Sequence, residues 1–534
     1  MHLRIATIAL ALALATSQPL RAQAAPDALP DIGSSAGELI TPREETIYGA
    51  ITLRQIRESG MLLEDPLIEG WINSLGYALI AASDRPQKDF TFFMIRSRDI
   101  NAFATLGGYV AVNAGLVLTA ENQDEVAAVL GHEISHVTQR HIVRAVEAAQ
   151  KDQLPIMLAM LAGIVIGATG NGDAVQAAVA GGTGLMQQRQ INFTRGGEQE
   201  ADRIGIQLLA RAGFNPEAMA NFFSRMQLAT RSGDAGPPEF LRTHPVTTNR
   251  IAEARDRAER IVGEELANAF NFTGDDVRAQ NPLLSRELTN GTDFVHIRPD
   301  PTLFAWARER LRVLSADSAN QTAADYQKQR EADPNDFTAA QRYGEALALT
   351  RANRASVAIA QLSALAREYP DNYWAELALA EAEHSAGLHE RSDARYDALL
   401  ARLPGNEAVL LGYARSLNER STRESGQRAQ EVLRPLLLLG AYDVEFQRSF
   451  ARASELAGDS LRAAEAYAEA AYLSGRADDA LTQLRTLQQR DDLDYIQRAR
   501  VDARIAYITP IAIEMQRRGI TQRQNRGLAP PAQP

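Results

Sequence analysis

The chain has 534 residues, 45% of them hydrophobic and 23% charged, with no cysteine and a formal net charge of −11. That length exceeds what one hydrophobic core usually serves, so two or more domains are expected, and the acidic balance argues against binding to nucleic acid or, in general, to anionic membranes. Without thiols there is no disulfide framework and no lipidated cysteine, and any metal must sit on nitrogen and oxygen ligands.

At the N-terminus, His2 and Arg4 precede an apolar run from Ile5 to Ala15, and Ala22-Gln23-Ala24 offers a small-residue cleavage site. This predicts a secretory signal peptide over residues 1–24 rather than a membrane anchor, which needs about twenty apolar residues. A periplasm-like compartment suits an exported chain without disulfides. Residues 25–44 read as a flexible leader. Leu67, Ile68, Ile72, Leu75 and Leu79 share one face of a helix predicted over Pro66 to Ala82, and strands are predicted at Phe90 to Ile95 and Gly108 to Val112. Asn122 and Glu125 fit a capping box for the next helix, whose buried stripe is Val126, Val129, Leu130, Ile134 and Val137.

Leu154 to Ala168 is uncharged but short of a membrane span and contains Pro155 and Gly163, so a buried or site-covering segment is preferred to a membrane helix. After a Gly-rich break from Gly167 to Gly184, Ala201, Ile204, Leu208 and Leu209 define a second amphipathic helix, stopped by Gly213. Asn215-Pro216 then opens another helix.

The helix after Asn122 carries Gly131-His132-Glu133-Ile134-Ser135-His136. Two histidines four residues apart lie on one helix face and can reach a single ion. Glu133, rotated by about 100° from His132, falls beside that ion, where it can take a proton from a metal-activated water. Burying these groups unpartnered would cost roughly several kcal/mol, and a metal is the simplest compensation. A metzincin-type third ligand is excluded, because Gln139 and Ile142 stand where that pattern needs glycine and histidine. Glu198 is the candidate third ligand. Asp202 shares its face and can accept a hydrogen bond from a ligand histidine, whereas Glu200 points away. His141, five residues past His136, falls off the metal-facing side and reads as structural.

Beyond a connecting segment at 263–318, residues 319–515 show an internal repeat. Pro334, Pro370 and Pro404 mark its period, and Tyr343-Gly344, Leu379-Ala380 and Tyr413-Ala414 read as matching pairs. A period near 34 predicts a tetratricopeptide-like α-solenoid, with a disordered tail at 516–534. Because each repeat contacts mainly its neighbours, this half is expected to be separable and to offer a concave surface to protein partners.

The HExxH helix, the Glu198-x-x-Ala201-Asp202 segment and the upstream Asn101-Ala102-Phe103-Ala104 together resemble the Ste24-like gluzincin peptidases. The resemblance implies a mainly α protein. A helical zincin-type metalloprotease domain with a small β-sheet would occupy residues 45–262, ahead of the solenoid. It implies one Zn2+ per chain held by His132, His136 and Glu198, with Glu133 as the general base and Asp202 as a supporting acid. For Thr243-His244-Pro245 it implies that His244 approaches the zinc as a further catalytic residue, where a lone loop histidine would ordinarily carry no role. Combined with the signal peptide and the repeats, it implies a periplasmic endopeptidase of outer-membrane protein quality control. Unfolded or misassembled outer-membrane proteins would be its substrates, and the repeats would dock the outer-membrane assembly machinery. Peripheral membrane contact is a further expectation, and nucleic acid is not. Gly107 to Val112 is the expected edge strand for an extended substrate. The alternative is a repeat-based chaperone or adaptor whose zinc site is structural or latent.

Overall fold

The computed structural model describes residues 40–83, 90–148, 194–231, 238–264, 299–437 and 443–517. The signal peptide, most of the leader, the uncharged Leu154 to Ala168, the Gly-rich break, the connecting residues 265–298 and nearly all of the tail lie outside the described residues. Among the described residues no helix is long and apolar enough to cross a membrane.

The N-terminal half opens with α1 (Pro42–Glu58), which starts on a Thr41–Glu44 capping box. There follow β1 (Leu62–Leu63), α2 (Pro66–Ala81), β2 (Thr91–Ile95), β3 (Ala102–Ala104), β4 (Tyr109–Asn113), α3 (Ala114–Thr119) and α4 (Gln123–Thr138). The strands form one sheet in the order β1-β2-β4-β3, with β2 and β4 parallel and the two outer pairs antiparallel. Phe92, Met94, Val110 and Val112 enter the main core, while Phe93, Ile95 and Ala111 meet Ile56 of α1 on the opposite face. Covering both faces explains why β2 reads as an unbroken apolar run instead of an alternation.

The sheet corrects one expectation. The strand after Gly108 is internal, and the edge beside it is β3. A three-residue strand is too short to show a period, so the sequence gives no sign that Ala102–Ala104 covers β4.

Helix α5 (194–211) ends before Gly213, whose φ of 77° lets the Phe214 N–H turn back to the Leu209 carbonyl. Then come α6 (Ala218–Arg231), α7 (Glu239–Thr243) and α8 (Thr248–Glu264).

The C-terminal half is a helical-repeat array. After α9 (Leu303–Leu314) and α10 (Ala319–Ala332) come the pairs α11 (Ala339–Arg351) with α12 (Ala355–Glu368), α13 (Tyr373–Ser385) with α14 (His389–Arg402), and α15 (Glu407–Glu419) with α16 (Arg423–Leu433). These are followed by α17 (Val444–Ala457) with α18 (Ser460–Leu473), and by α19 (Ala477–Gln488) with α20 (Tyr495–Arg517). The first helices of the first three pairs start 34 residues apart, at 339, 373 and 407. Gly344, Ala378 and Gly412 are therefore the equivalent small positions, and the Leu379-Ala380 and Tyr413-Ala414 pairs are two residues out of register. The two extra residues lie in the loop after Pro334. The small residue makes room for an aromatic ring from the preceding helix, since a Cβ on Gly344 would lie 2.3 Å from Tyr326 Oη. At Gly412 the corresponding Tyr396 Oη is 3.4 Å away.

The two halves are not separate bodies. One hydrophobic core contains residues from Leu63 to Ala466, and Trp71 of α2 meets Phe304 of α9 with ring centroids 6.2 Å apart. Asp65, the N-cap of α2, is gripped by Arg310 of α9 through bonds of 2.8 and 2.7 Å, and Arg310 also donates to Tyr343 Oη of α11 at 3.0 Å. Burial pushes the Asp65 carboxyl up, but Arg310 overrides it and holds the group ionised. Further along the array, Arg448 of α17 reaches Glu64 at 3.5 Å, Arg57 donates to the Leu473 carbonyl at 3.3 Å, and Arg54 lies 5.2 Å from the Tyr472 ring centroid. The N-terminal half thus also contacts the array at α17 and α18.

Candidate active site

Helix α4 is capped by Asn122, whose Oδ1 accepts the Glu125 N–H at 3.1 Å. The Glu125 carboxylate reaches back to the Glu121 N–H at 2.9 Å rather than to Asn122, so the predicted box forms one residue displaced. Arg225 of α6 holds its other oxygen at 3.0 Å. Every residue from Gln123 to Ser135 is buried, so His132 and Glu133 face the protein interior, and His136 is half-buried. The α5 backbone crosses close by, because a Cβ on Gly205 would lie 3.1 Å from the Gly131 carbonyl carbon. A side chain at this crossing would push against the His132 backbone N at 3.1 Å, so glycine favours the close approach of α5 to α4.

The His132 and His136 Nε2 atoms lie 3.0 Å apart. Glu198 bridges them, with Oε2 3.4 Å from His132 Nε2 and Oε1 3.4 Å from His136 Nε2. His244, which follows α7, brings Nδ1 to 2.9 Å from Glu198 Oε1 and to 3.4 Å from His132 Nε2. Its ring stacks on Phe240, whose own N–H donates to the Ile100 carbonyl just ahead of β3. The ligand atoms of His132, His136, Glu198 and His244 all lie within 4.8 Å of one another. Asp202 stands outside this cluster, with Oδ1 3.0 Å from His132 Nδ1. Glu133 also lies outside it. Its Oε2 accepts the Ala104 N–H of β3 at 2.8 Å, and among the described residues its buried Oε1 has no hydrogen-bond partner, with His244 Nε2 3.7 Å away.

Burial pulls the His132 imidazole down, but its bonds to Asp202 and Glu198 outweigh that and lift it to about 10. Burial and the neighbouring His132 charge press His136 down to about 2. Burial pushes the Glu133 carboxyl up, only partly offset by His244 and His132. For Glu198, burial is overcome by His132 and His244, which hold it well below the usual carboxylate range. These groups fit a metal. Imidazole nitrogens and a carboxylate converging on one buried point form the donor set of a borderline divalent cation, and a buried carboxylate oxygen without a donor needs something to face.

Two contributors escape sequence reasoning. Arg250 of α8 forks onto Asp202 at 2.7 and 2.8 Å, lies 2.9 Å from Glu198 Oε2 and donates to the Pro245 carbonyl at 2.8 Å. It ties the acidic pair to the His244 loop, and no local pattern marks it. The other is His141, which does lie outside the four-donor cluster, as expected, but touches His136. Helix α4 stops at Thr138, Arg140 adopts a φ of 52°, and the chain re-enters a helix at 141–148. Extrapolating the helical wheel through this break points His141 away from His136. In the structure its Nδ1 is 2.8 Å from His136 Nδ1, and its Nε2 is 3.0 Å from Glu200, which also takes Arg144 at 2.8 Å. Glu200 does point away from the four-donor cluster.

Known proteins similar to this chain are peptidases. The profile described as peptidase family M48 matches residues 66–258. The chain is 31% identical over 506 residues to the beta-barrel assembly-enhancing protease of Escherichia coli K12, covering 94% of this chain and 95% of that one. A Vibrio cholerae protein is 42% identical over 254 residues, 48% of this chain but only 52% of its own length. The bovine mitochondrial metalloendopeptidase OMA1 is 32% identical over 190 residues, 35% of this chain and 36% of that one.

Proposed function

From the premise that the chain belongs to peptidase family M48 and is a metalloprotease, we propose that it is a zinc endopeptidase of the bacterial periplasm acting on unfolded or misassembled outer-membrane proteins. The observation that carries this reading is the convergence of His132, His136 and Glu198 beside a Glu133 carboxylate anchored to an edge strand. His132, His136 and Glu198 would hold the metal, oriented on the His132 side by Asp202 and Arg250. A zinc ion so held supplies Lewis acidity toward a peptide carbonyl and makes a water easier to deprotonate.

Glu133 is the general base. The Ala104 N–H fixes one oxygen and leaves the other free to take the proton of the attacking water, then to deliver it to the departing amine. Burial, which raises its pKa, suits both transfers. Across the β3–β4 pair the Asn113 N–H donates to the Asn101 carbonyl and the Thr105 N–H to the Tyr109 carbonyl, so the backbone N–H and C=O groups of Ala102 and Ala104 face away from β4. An extended segment of unfolded chain pairing along that edge would lie next to Glu133. We read residues 45–262 as the protease domain, 263–318 as the connector and 319–515 as tetratricopeptide repeats that dock the outer-membrane assembly machinery.

The test is degradation of an unfolded outer-membrane protein by the purified chain. Glu133→Gln is expected to lower the rate by about 10²-fold or more while keeping its zinc, because a general base is not a ligand. Equal rates in variant and wild type would refute the mechanism, and cleavage that persists after chelation would refute the metal.

A further inference from the structure

Two chains of polar side chains converge on the histidines of α4 from outside the four-donor cluster. One is Arg250–Asp202–His132. The other is Arg144–Glu200–His141–His136, and we infer that it locks His136 in the tautomer whose Nε2 lone pair faces the cluster, making His141 a positioning residue for the metal. The inference rests on the ligand role proposed for His136.

The argument is a proton inventory. Glu200, held by Arg144 at 2.8 Å, is an ionised carboxylate and can only accept. The His141 nitrogen facing it, Nε2 at 3.0 Å, therefore carries a hydrogen. Arg144 already neutralises Glu200, and a cation held by His136 would disfavour a second charge beside it, so His141 is neutral with a single N–H and its Nδ1 is a bare lone pair. It sits 2.8 Å from His136 Nδ1, and two bare nitrogens at that distance would repel. The hydrogen between them belongs to His136. With its single N–H at Nδ1, His136 keeps a free lone pair on Nε2, the atom 3.0 Å from His132 Nε2 and 3.4 Å from Glu198 Oε1. The opposite tautomer would point an N–H at the cluster and block a cation. The acceptor preference of Glu200 is thus passed through two rings to the donor atom.

The backbone is shaped to place this ring. Arg140 takes a left-handed φ of 52° without being glycine, a conformation that costs roughly 1–2 kcal/mol and persists only where its surroundings enforce it. They do so here, because the Arg140 side chain is tied to Glu45 at 2.5 Å and to the Ile40 carbonyl at 3.1 Å. The reversal folds His141 back against α5, where a Cβ on Gly197 would lie 3.6 Å from its Nδ1. His141 is only 6% exposed, so water cannot readily replace it as the acceptor for His136.

The experiment measures Zn2+ affinity of the full chain by chelator competition, and the visible spectrum after loading with Co2+. His141→Phe keeps ring volume but removes the acceptor. It is expected to weaken Zn2+ binding about 10- to 100-fold and to shift the Co2+ bands, with unchanged far-UV circular dichroism. His141→Asn, whose amide oxygen can accept from His136 Nδ1, is expected to recover most of the affinity. Glu200→Gln, at a more exposed link, is expected to give an intermediate loss and tests the same chain should His141→Phe fail to fold. Wild-type affinity and spectrum in His141→Phe would overturn the inference. So would equal losses in the Phe and Asn variants, which would mean that the ring only fills space. His136→Ala separates the two levels: if it binds Zn2+ as tightly as wild type, the ligand assignment itself has failed.

Discussion

His244 occupies the place where a fourth ligand would close the cluster, and its ring lies between Glu198 and Glu133. A zinc with four protein ligands has no open position, whereas catalysis needs one. On the proposed ligand set His244→Ala should raise basal cleavage of an unfolded substrate several-fold, and bound zinc should stay near one per chain. A slower variant would instead make the ring a donor to the developing oxyanion. At this scale, legibility followed chain locality. His132, Glu133 and His136 could be read because helical spacing alone puts them together, and Glu198 with Asp202 because four residues define a face. His141 and Arg250 could not. One depends on a left-handed turn at a residue type that rarely makes it, and the other comes from α8, 48 positions beyond Asp202.

Among the elements, α2 carries a titratable group at the junction of the two halves. Burial lifts the Glu69 carboxyl from 4.5 to about 8, with Asp443, Asp65, Glu64 and Glu407 adding repulsion. Between those two values the folded protein holds a proton that the unfolded chain has released. The resulting stability is complete below 4.5 and is lost as pH rises through 8. Each unit is worth about 1.4 kcal/mol, and allowing for screening by water at a partly exposed site, a net loss of about 2 kcal/mol is expected across the window. Urea midpoints at mildly acidic and mildly alkaline pH check it, and Glu69→Gln should flatten the difference. An unchanged slope in that variant would mean that the junction is well hydrated. Element positions such as α2, α4 and β2 were legible from periodicity and caps. The order of strands was not, because β3 has too few residues to carry a pattern and its role as an edge is decided only by pairing.

For the whole molecule, the period of the repeats could be read from the sequence, whereas their seat could not. Nothing local announces that Asp65 and Arg310, 245 residues apart, form one buried pair. A chain truncated after residue 264 would expose Trp71 and leave Asp65 without its cation, so it should aggregate or bind zinc poorly. Full-length protein should melt in a single calorimetric transition. A soluble truncated form with wild-type zinc affinity would show the halves to be independent. The shared core also sets an order in time. A polypeptide is made from its N-terminus, so the segment bearing HExxH exists long before the helices that complete its packing. Until Arg310 and the array behind it have been synthesised, Asp65 lacks its cation and Trp71 of α2 lacks the Phe304 ring. The residues of the candidate site are therefore all made before the partners that complete the packing of α2.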